Sequence, residues 1–279
     1  MTDTPTSTDR IKLAAIDLDG TLLGSDHAIS AGNRAAVRRA VGAEAIIVLA
    51  SGRQFDTINA FAADLGLSPN APIIAYNGAM IRTHGRKIWF HRPLPAAASS
   101  RIVDFCALNG YHLNYYLDDV LYVREDREYG RLYQKRTGTV PLVMGNLSLF
   151  EGQCPTKLLL IASTEMTNHL LALFQAEFGD ALYITKTEDE YLEFMAPNVS
   201  KGQALAETAR RLGLMPSQCA AFGDSYNDIS MLEWAGLGVA MENARLELKA
   251  VAGRIAPSAD ADGVGVVLDE LFPVHPEHE

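Results

Sequence analysis

The chain has 279 residues, 48% apolar and 21% charged, an ordinary globular composition that excludes a disordered or collagen-like polymer and fits one large or two medium domains. A formal net charge of −10 repels a phosphate backbone and argues against a dedicated nucleic-acid binder, while leaving room for a local site that takes a small anion. No apolar run approaches the ~18 residues of a membrane span, and the opening MTDTPTSTDR lacks a secretory apolar stretch. Three widely spaced cysteines, Cys106, Cys154 and Cys219, form no C-x-x-C; they read as packing residues and point to a reducing cytoplasm.

In chain order, Leu13–Ile16 is a short apolar run ending in Asp17. Ser30 caps a helix predicted to run to about Val41. Ile46–Ala50 is a second buried run, Phe55–Leu65 has helical spacing and stops at Gly66, and Ile73–Tyr76 ends at Asn77-Gly78. Buried runs alternating with amphipathic helices predict βαβ units and a parallel sheet. The middle is richer in strands: His112–Tyr116 and Val120–Val123 flank Asp118-Asp119, followed by Lys157–Ala162, a helix over about 166–178, Tyr183–Lys186 and Tyr191–Met195. After Pro197 the first pattern returns. Ser200 caps a helix ending near Gly213, and Ala220–Phe222, Gly238–Met241 and Arg254–Ala256 read as strands around a helical Ile229–Trp234. The expected organisation is a core of residues 1–82 and 198–279 with an inserted α+β domain over 83–197, joined by links near 80–85 and 195–199. The polar tail VHPEHE is expected to fray.

The chemistry-bearing residues gather at strand ends. Asp17-Leu18-Asp19-Gly20 places two carboxylates at the C-terminal edge of a parallel sheet, where open α/β sheets bind ligands. Neighbouring carboxylates repel, and Mg²⁺ is a natural third party because it prefers oxygen ligands and shares them with water and phosphate. A plain turn after the strand is the alternative. Ser51-Gly52-Arg53 supplies a hydroxyl and open N–H groups at a helix start, a ready phosphate site. Gly223-Asp224-Ser225-Tyr226-Asn227-Asp228 adds carboxylates at another strand end. Lys201 lies in the first helical turn after Ser200, where the macrodipole disfavours a cation; it is either a charge partner at the site or, taken alone, a solvated surface lysine.

These four segments, in this order, resemble the motifs of the haloacid-dehalogenase-like (HAD) phosphohydrolases, and most closely the Cof-like sugar-phosphatase branch with a large α/β cap. IDLDGTLL, LASGR, NVSKG and GDSYNDISML correspond to the four motifs, and IIAYNGA to a further stretch near the cap junction. The resemblance covers about 11–82 and 198–262 and implies a Rossmann-like parallel-sheet core with an inserted cap. It implies that Asp17 is nucleophile and metal ligand, and that Asp19 is general acid/base and binds metal through its carbonyl. Asp224 becomes a further ligand of Mg²⁺. Leu18, Ser51, Gly52, Lys201 and Asn227 would hold the phosphoryl group, with Asp228 steadying Lys201 or the metal shell. Asn198 departs from the pattern, standing where glycine is frequent, and should shape the loop.

The activity implied is a Mg²⁺-dependent phosphatase of small phosphorylated metabolites working through an aspartyl-phosphate, without nucleic-acid or membrane partners. A phosphotransferase or phosphomutase using the same Asp17 is an alternative, and so is an inactive binding protein on this scaffold, although no nucleophile or metal ligand is missing. Within the insert, Arg124, Arg127, Arg131 and Lys135 share one face if 126–136 is helical. That face either reaches a substrate anion or is solvated and paired with Glu125, Asp126 and Glu128. His112, Tyr115, Tyr116 and Tyr122 read as strand packing, and His84 and His91 as surface residues.

Overall fold

The structure, a computed structural model, describes residues 10–273; the expectations for the opening segment before Arg10 and for the VHPEHE tail lie outside them. The chain begins with β1 (Leu13–Asp17), α1 (Ala31–Gly42), β2 (Ile46–Ala50), α2 (Phe55–Leu65), β3 (Pro72–Ala75), β4 (Met80–Thr83) and β5 (Ile88–His91). Next come α3 (Ala96–Asn109), β6 (His112–Leu117), β7 (Val120–Val123), α4 (Glu128–Thr137), β8 (Leu142–Val143), β9 (Lys157–Ile161), α5 (Thr164–Phe178), β10 (Tyr183–Glu188) and β11 (Tyr191–Met195). It closes with α6 (Lys201–Leu212), β12 (Cys219–Gly223), α7 (Ile229–Trp234), β13 (Leu237–Met241), α8 (Leu246–Val251), β14 (Arg254–Ala256) and α9 (Gly263–Leu271).

One sheet runs β14-β13-β12-β1-β2-β3-β4-β5. From β14 to β3 every pairing is parallel, and β1, β2 and β12 are buried almost throughout, as strands covered on both faces require. Local signals set the helices. Ser30 Oγ accepts the Asn33 N–H at 3.0 Å to start α1, and Gly66 takes the left-handed φ of +71° that ends α2. Register aligns the strand ends: Asp17 stands opposite Ala50 and Ile16 opposite Phe222. Ser51 and Asp224 therefore follow at the same sheet edge as Asp17, about 5 Å of sheet apart per strand step.

Contacts divide the chain into two compact units, one running to Trp89 and resuming at Ser200, the other Phe90–Val199. The boundary expected after residue 82 falls inside β4, which pairs antiparallel with β3 and so stays with the first unit. Asn198 has φ +55°, the left-handed conformation that asparagine tolerates best after glycine, which accounts for its standing in a glycine position.

The second unit has its own sheet, β10-β11-β9-β6-β7-β8. Asp118 and Asp119 form the turn between β6 and β7 with φ +52° and +65°, two successive positive values matching the twist of a tight hairpin. One sheet face, with Tyr115, Leu158, Leu160, Leu192 and Phe194, packs on Ile102 and Cys106 of α3 and Leu170 and Phe174 of α5. The Phe174 and Phe194 rings meet edge-on at 4.9 Å. The opposite alternation brings Lys157 to 2.9 Å from Glu193 and Tyr116 Oη to 2.5 Å from Tyr133 Oη of α4.

The arginine face dissolves. The helix begins at Glu128 with Arg127 as its cap residue, so Arg124 lies outside it. Arg127 pairs with Glu125 at 2.6 Å and Arg131 with Asp126 at 3.2 Å. His84 is half-buried and meets Asn59 at 2.7 Å, while the exposed His91 meets Thr156 at 2.9 Å. Cys106 and Cys219 are buried packing residues as expected, but Cys154 is exposed, and all three thiols are free.

Candidate active site

Asp17 ends β1 with 5% of its surface exposed. Its neighbour across the site comes from a distant part of the chain: Lys201 Nζ donates to Asp17 Oδ1 and to Asp228 Oδ1, both at 2.6 Å. Lys201 is wholly buried, which overturns the reading of it as a solvated lysine. Ser200 caps α6 by accepting the Gln203 N–H at 3.1 Å, and this start aims the first side chain of the helix beneath the sheet edge. The two carboxylates offset both the unfavourable macrodipole and the desolvation of the ammonium. Burial alone would lower the Lys201 pKa, but Asp17 and Asp228 outweigh it and raise it.

Asp228 organises the loop after β12. Its Oδ2 accepts the N–H groups of Asp224 and Ser225, each at 3.1 Å, while Oδ1 faces Lys201. Oxygens of Asp17, Asp224 and Asp228 lie within 4.8 Å of one another. Three carboxylates thus share one ammonium, and negative charge is in excess. Burial, then repulsion from Asp228, raises the Asp17 pKa well above the usual carboxylate range, and the same two causes push Asp224 up to about 7. An all-oxygen set with uncompensated negative charge fits a hard divalent cation such as Mg²⁺ and lacks the nitrogen or sulfur donors that favour zinc. Because Asp228 already serves Lys201 and two backbone N–H groups, Asp17 and Asp224 are the carboxylates suited to hold the ion.

The turn after β1 is tight for a steric reason. Gly20 has φ +74°, and a Cβ there would collide with the Asp224 carboxylate. Leu18 is buried and its carbonyl accepts the Thr21 and Leu23 N–H groups at 3.2 and 2.8 Å. Asn243 Nδ2 secures the Gly20 carbonyl at 2.7 Å. Ser51 is buried at the end of β2, its N–H on the Ile74 carbonyl at 2.9 Å. Gly52 packs where a Cβ would lie 2.9 Å from Asn77 Oδ1. Asn227 reaches that same oxygen through Nδ2 at 3.0 Å.

Asp19 is set apart. Its side chain is 46% exposed and lies outside the carboxylate cluster. Arg53 grips it as a fork, with Nε donating to Oδ2 at 2.8 Å and Nη2 to Oδ1. Asn77 and Arg53 lie in segments that the sequence singled out, but it gave neither side chain a role. For Arg53 the available signal was a cation two residues beyond Ser51 at a site already holding paired carboxylates.

The profile of the haloacid dehalogenase-like hydrolases matches residues 14–268. The chain belongs to that family. It is 30% identical over 285 residues to a 5-amino-6-(5-phospho-D-ribitylamino)uracil phosphatase of Bacillus subtilis, covering 94% of this chain and 98% of the relative. A second B. subtilis phosphatase with the same named substrate is 31% identical over 91% of this chain and 93% of its own. A crystal structure from Thermotoga maritima superposes with a TM-score of 0.86 at 31% identity, covering 93% of this chain and 97% of that one. This member of the family is an enzyme, a phosphatase.

Proposed function

We propose that the enzyme is a Mg²⁺-dependent phosphomonoesterase for small phosphorylated metabolites, with Asp17 as covalent nucleophile, Asp19 as acid and base, and Phe90–Val199 as a cap that reads the leaving group. The observation that carries the reading is the buried Asp17 at a sheet edge, paired with Lys201 at 2.6 Å beside the Asp224 carboxylate. A carboxylate attacking an anionic phosphate ester is opposed by like charge, and Lys201 supplies part of the compensation. Mg²⁺ bound by Asp17, Asp224 and the Asp19 carbonyl would supply the rest by neutralising phosphoryl oxygens.

In the first half-reaction an Asp17 oxygen forms a bond to phosphorus, the bond to the leaving oxygen breaks, and the Asp19 carboxyl gives that oxygen its proton. In the second, a water oxygen bonds to phosphorus, the Asp17–phosphorus bond breaks, and the Asp19 carboxylate takes the water's proton. Splitting one hard displacement into two is the gain of covalent catalysis. Ser51, the N–H groups of Leu18 and Gly52, and Asn227 orient the transferring group, while Asp228 keeps Lys201 in place. Positioning and charge stabilisation dominate such phosphoryl transfers.

Both B. subtilis relatives carry a ribitylaminouracil phosphate in their names, so a polyol phosphate attached to a heterocycle heads the substrate panel. Free thiols fit a reducing cytoplasm, and among the described residues no helix is long and apolar enough to cross a membrane. The test is phosphate release from p-nitrophenyl phosphate and then from polyol, sugar and nucleotide phosphates, with and without Mg²⁺. Mg²⁺-dependent release that vanishes in Asp17→Asn supports the reading. Transfer to a sugar acceptor in place of water would make the enzyme a phosphotransferase, and no Mg²⁺-dependent release from any of these substrates would overturn the reading.

A further inference from the structure

Asp19 is asked to do two opposite things, to give a proton in one half-reaction and to take one in the other. The structure shows what holds its side chain in place. Both of its oxygens accept from the guanidinium of Arg53. A carboxylate bound this way keeps a second lone pair on each oxygen and can still accept a proton from water. The half-exposed Asp19 leaves room for that water.

Arg53 is the fixed member of the pair. Its side chain is only 15% exposed, and its guanidinium carbon lies 5.8 Å from the centre of the Phe61 ring. Its own N–H donates to Ser51 Oγ at 3.2 Å, and its carbonyl accepts the Tyr76 N–H at 3.0 Å. The residue is therefore built into the phosphate-side loop after β2, while Asp19 sits on the turn after β1. Charged or titratable groups near the Asp19 carboxylate also include His27, 4.0 Å away and 70% exposed, and Asp224, whose carboxyl feels the Asp19 charge.

Resting on the proposed roles of Asp17 and Asp19, we infer that Arg53 is a positioning residue that works through Asp19. It holds the carboxylate oriented toward the water that hydrolyses the Asp17 phosphoryl adduct. The two half-reactions should then depend on Arg53 unequally. Loss of the fork removes orientation from the water-activating step and leaves departure of a good leaving group, which needs no acid, nearly intact.

The test is stopped-flow mixing of the full-length protein and Mg²⁺ with p-nitrophenyl phosphate. Arg53→Ala should release about one equivalent of p-nitrophenolate per enzyme in a fast burst. The steady rate after it should be lowered about tenfold or more, short of the ~10²–10⁴-fold loss for removing a general base. Acid quench in that phase should recover phosphate covalently bound to protein. Arg53→Lys, which keeps charge and stem but offers a point donor in place of a fork, should show the same split in weaker form. It carries the test alone if Arg53→Ala melts without cooperativity. Parallel loss of both phases, or no change in either, overturns the inference. Two controls separate its failure from failure of the reading beneath it. With Asp17→Asn silent and Asp19→Asn showing the burst, a negative Arg53 result sinks only the fork; a burst that survives in Asp17→Asn sinks both.

Discussion

Among the described residues two lysines are buried, and they show the difference between a site and a brace. Lys157, in the Phe90–Val199 unit, meets the Glu193 carboxylate, with side chains 3% and 5% exposed. The ammonium also lies 5.2 Å from the centre of the Tyr116 ring. Lys201 meets two carboxylates with a third close by. In both, burial alone would lower the lysine pKa and neighbouring carboxylates raise it instead. At Lys201 a partner, Asp17, is itself driven upward by burial and by Asp228. A lysine paired across one sheet face braces it, whereas three buried carboxylates crowded around one ammonium mark a candidate functional site.

The largest break in the comparison is Asp17→Asn. Turnover should fall to background while the fold persists, and the melting temperature should hold or rise because like-charge repulsion is relieved; phosphate release and a thermal melt on the same sample check both. Next, Lys201→Met and Lys157→Met should each cost about 3–5 kcal/mol by stranding a buried carboxylate, read from urea unfolding. Only Lys201→Met should abolish p-nitrophenyl phosphate turnover. The double variant Lys157→Met with Glu193→Leu should recover most of the stability lost, since an apolar pair replaces a buried ion pair; if turnover disappears with it, Lys157 is more than a brace.

Metal addition sharpens the contrast at smaller scale. At about 100 times its dissociation constant, Mg²⁺ should stabilise the wild type by ~2.7 kcal/mol, visible as a raised melting temperature that is weak or absent in Asp17→Asn. Mn²⁺ should substitute, and activity restored to the chelated enzyme by Zn²⁺ alone would contradict the oxygen-ligand assignment. The smallest effect belongs to an exposed cluster on α6. Hydrogen bonds from Arg210, then Arg211, hold Glu207 down to about 2 from the ordinary 4.5. A depressed carboxylate stabilises the fold above its unfolded pKa, and that contribution is lost as pH falls through the folded one. Glu207→Gln should therefore cost a few tenths of a kcal/mol at pH 6, and the difference in melting temperature should vanish between about pH 4.5 and 2.

Much of the fold was legible because its signals are local. Strands covered on both faces read as unbroken apolar runs, so β1, β2 and β12 stand within a residue or two of where Leu13–Ile16, Ile46–Ala50 and Ala220–Phe222 placed them. Ser30 and Ser200 announced helix starts, and Gly66 and Gly213 helix ends. Local spacing misled where it assumed a helix boundary: starting α4 at Glu128 breaks the apparent stripe of Arg124, Arg127 and Arg131.

The sequence by itself determined which residues end strands at a common sheet edge, because apolar runs and the glycine–acid punctuation after them are properties of neighbours in the chain. Only the tertiary structure decided who meets whom there. Lys201 reads locally as a surface lysine, and its burial against Asp17 joins positions 184 residues apart. The Arg53 fork on Asp19 spans 34 residues, and Lys157 finds Glu193 across 36. Such pairings depend on strand register and on which helix face the sheet covers. Both are settled by the burial of the whole core, so no periodicity within a segment encodes them.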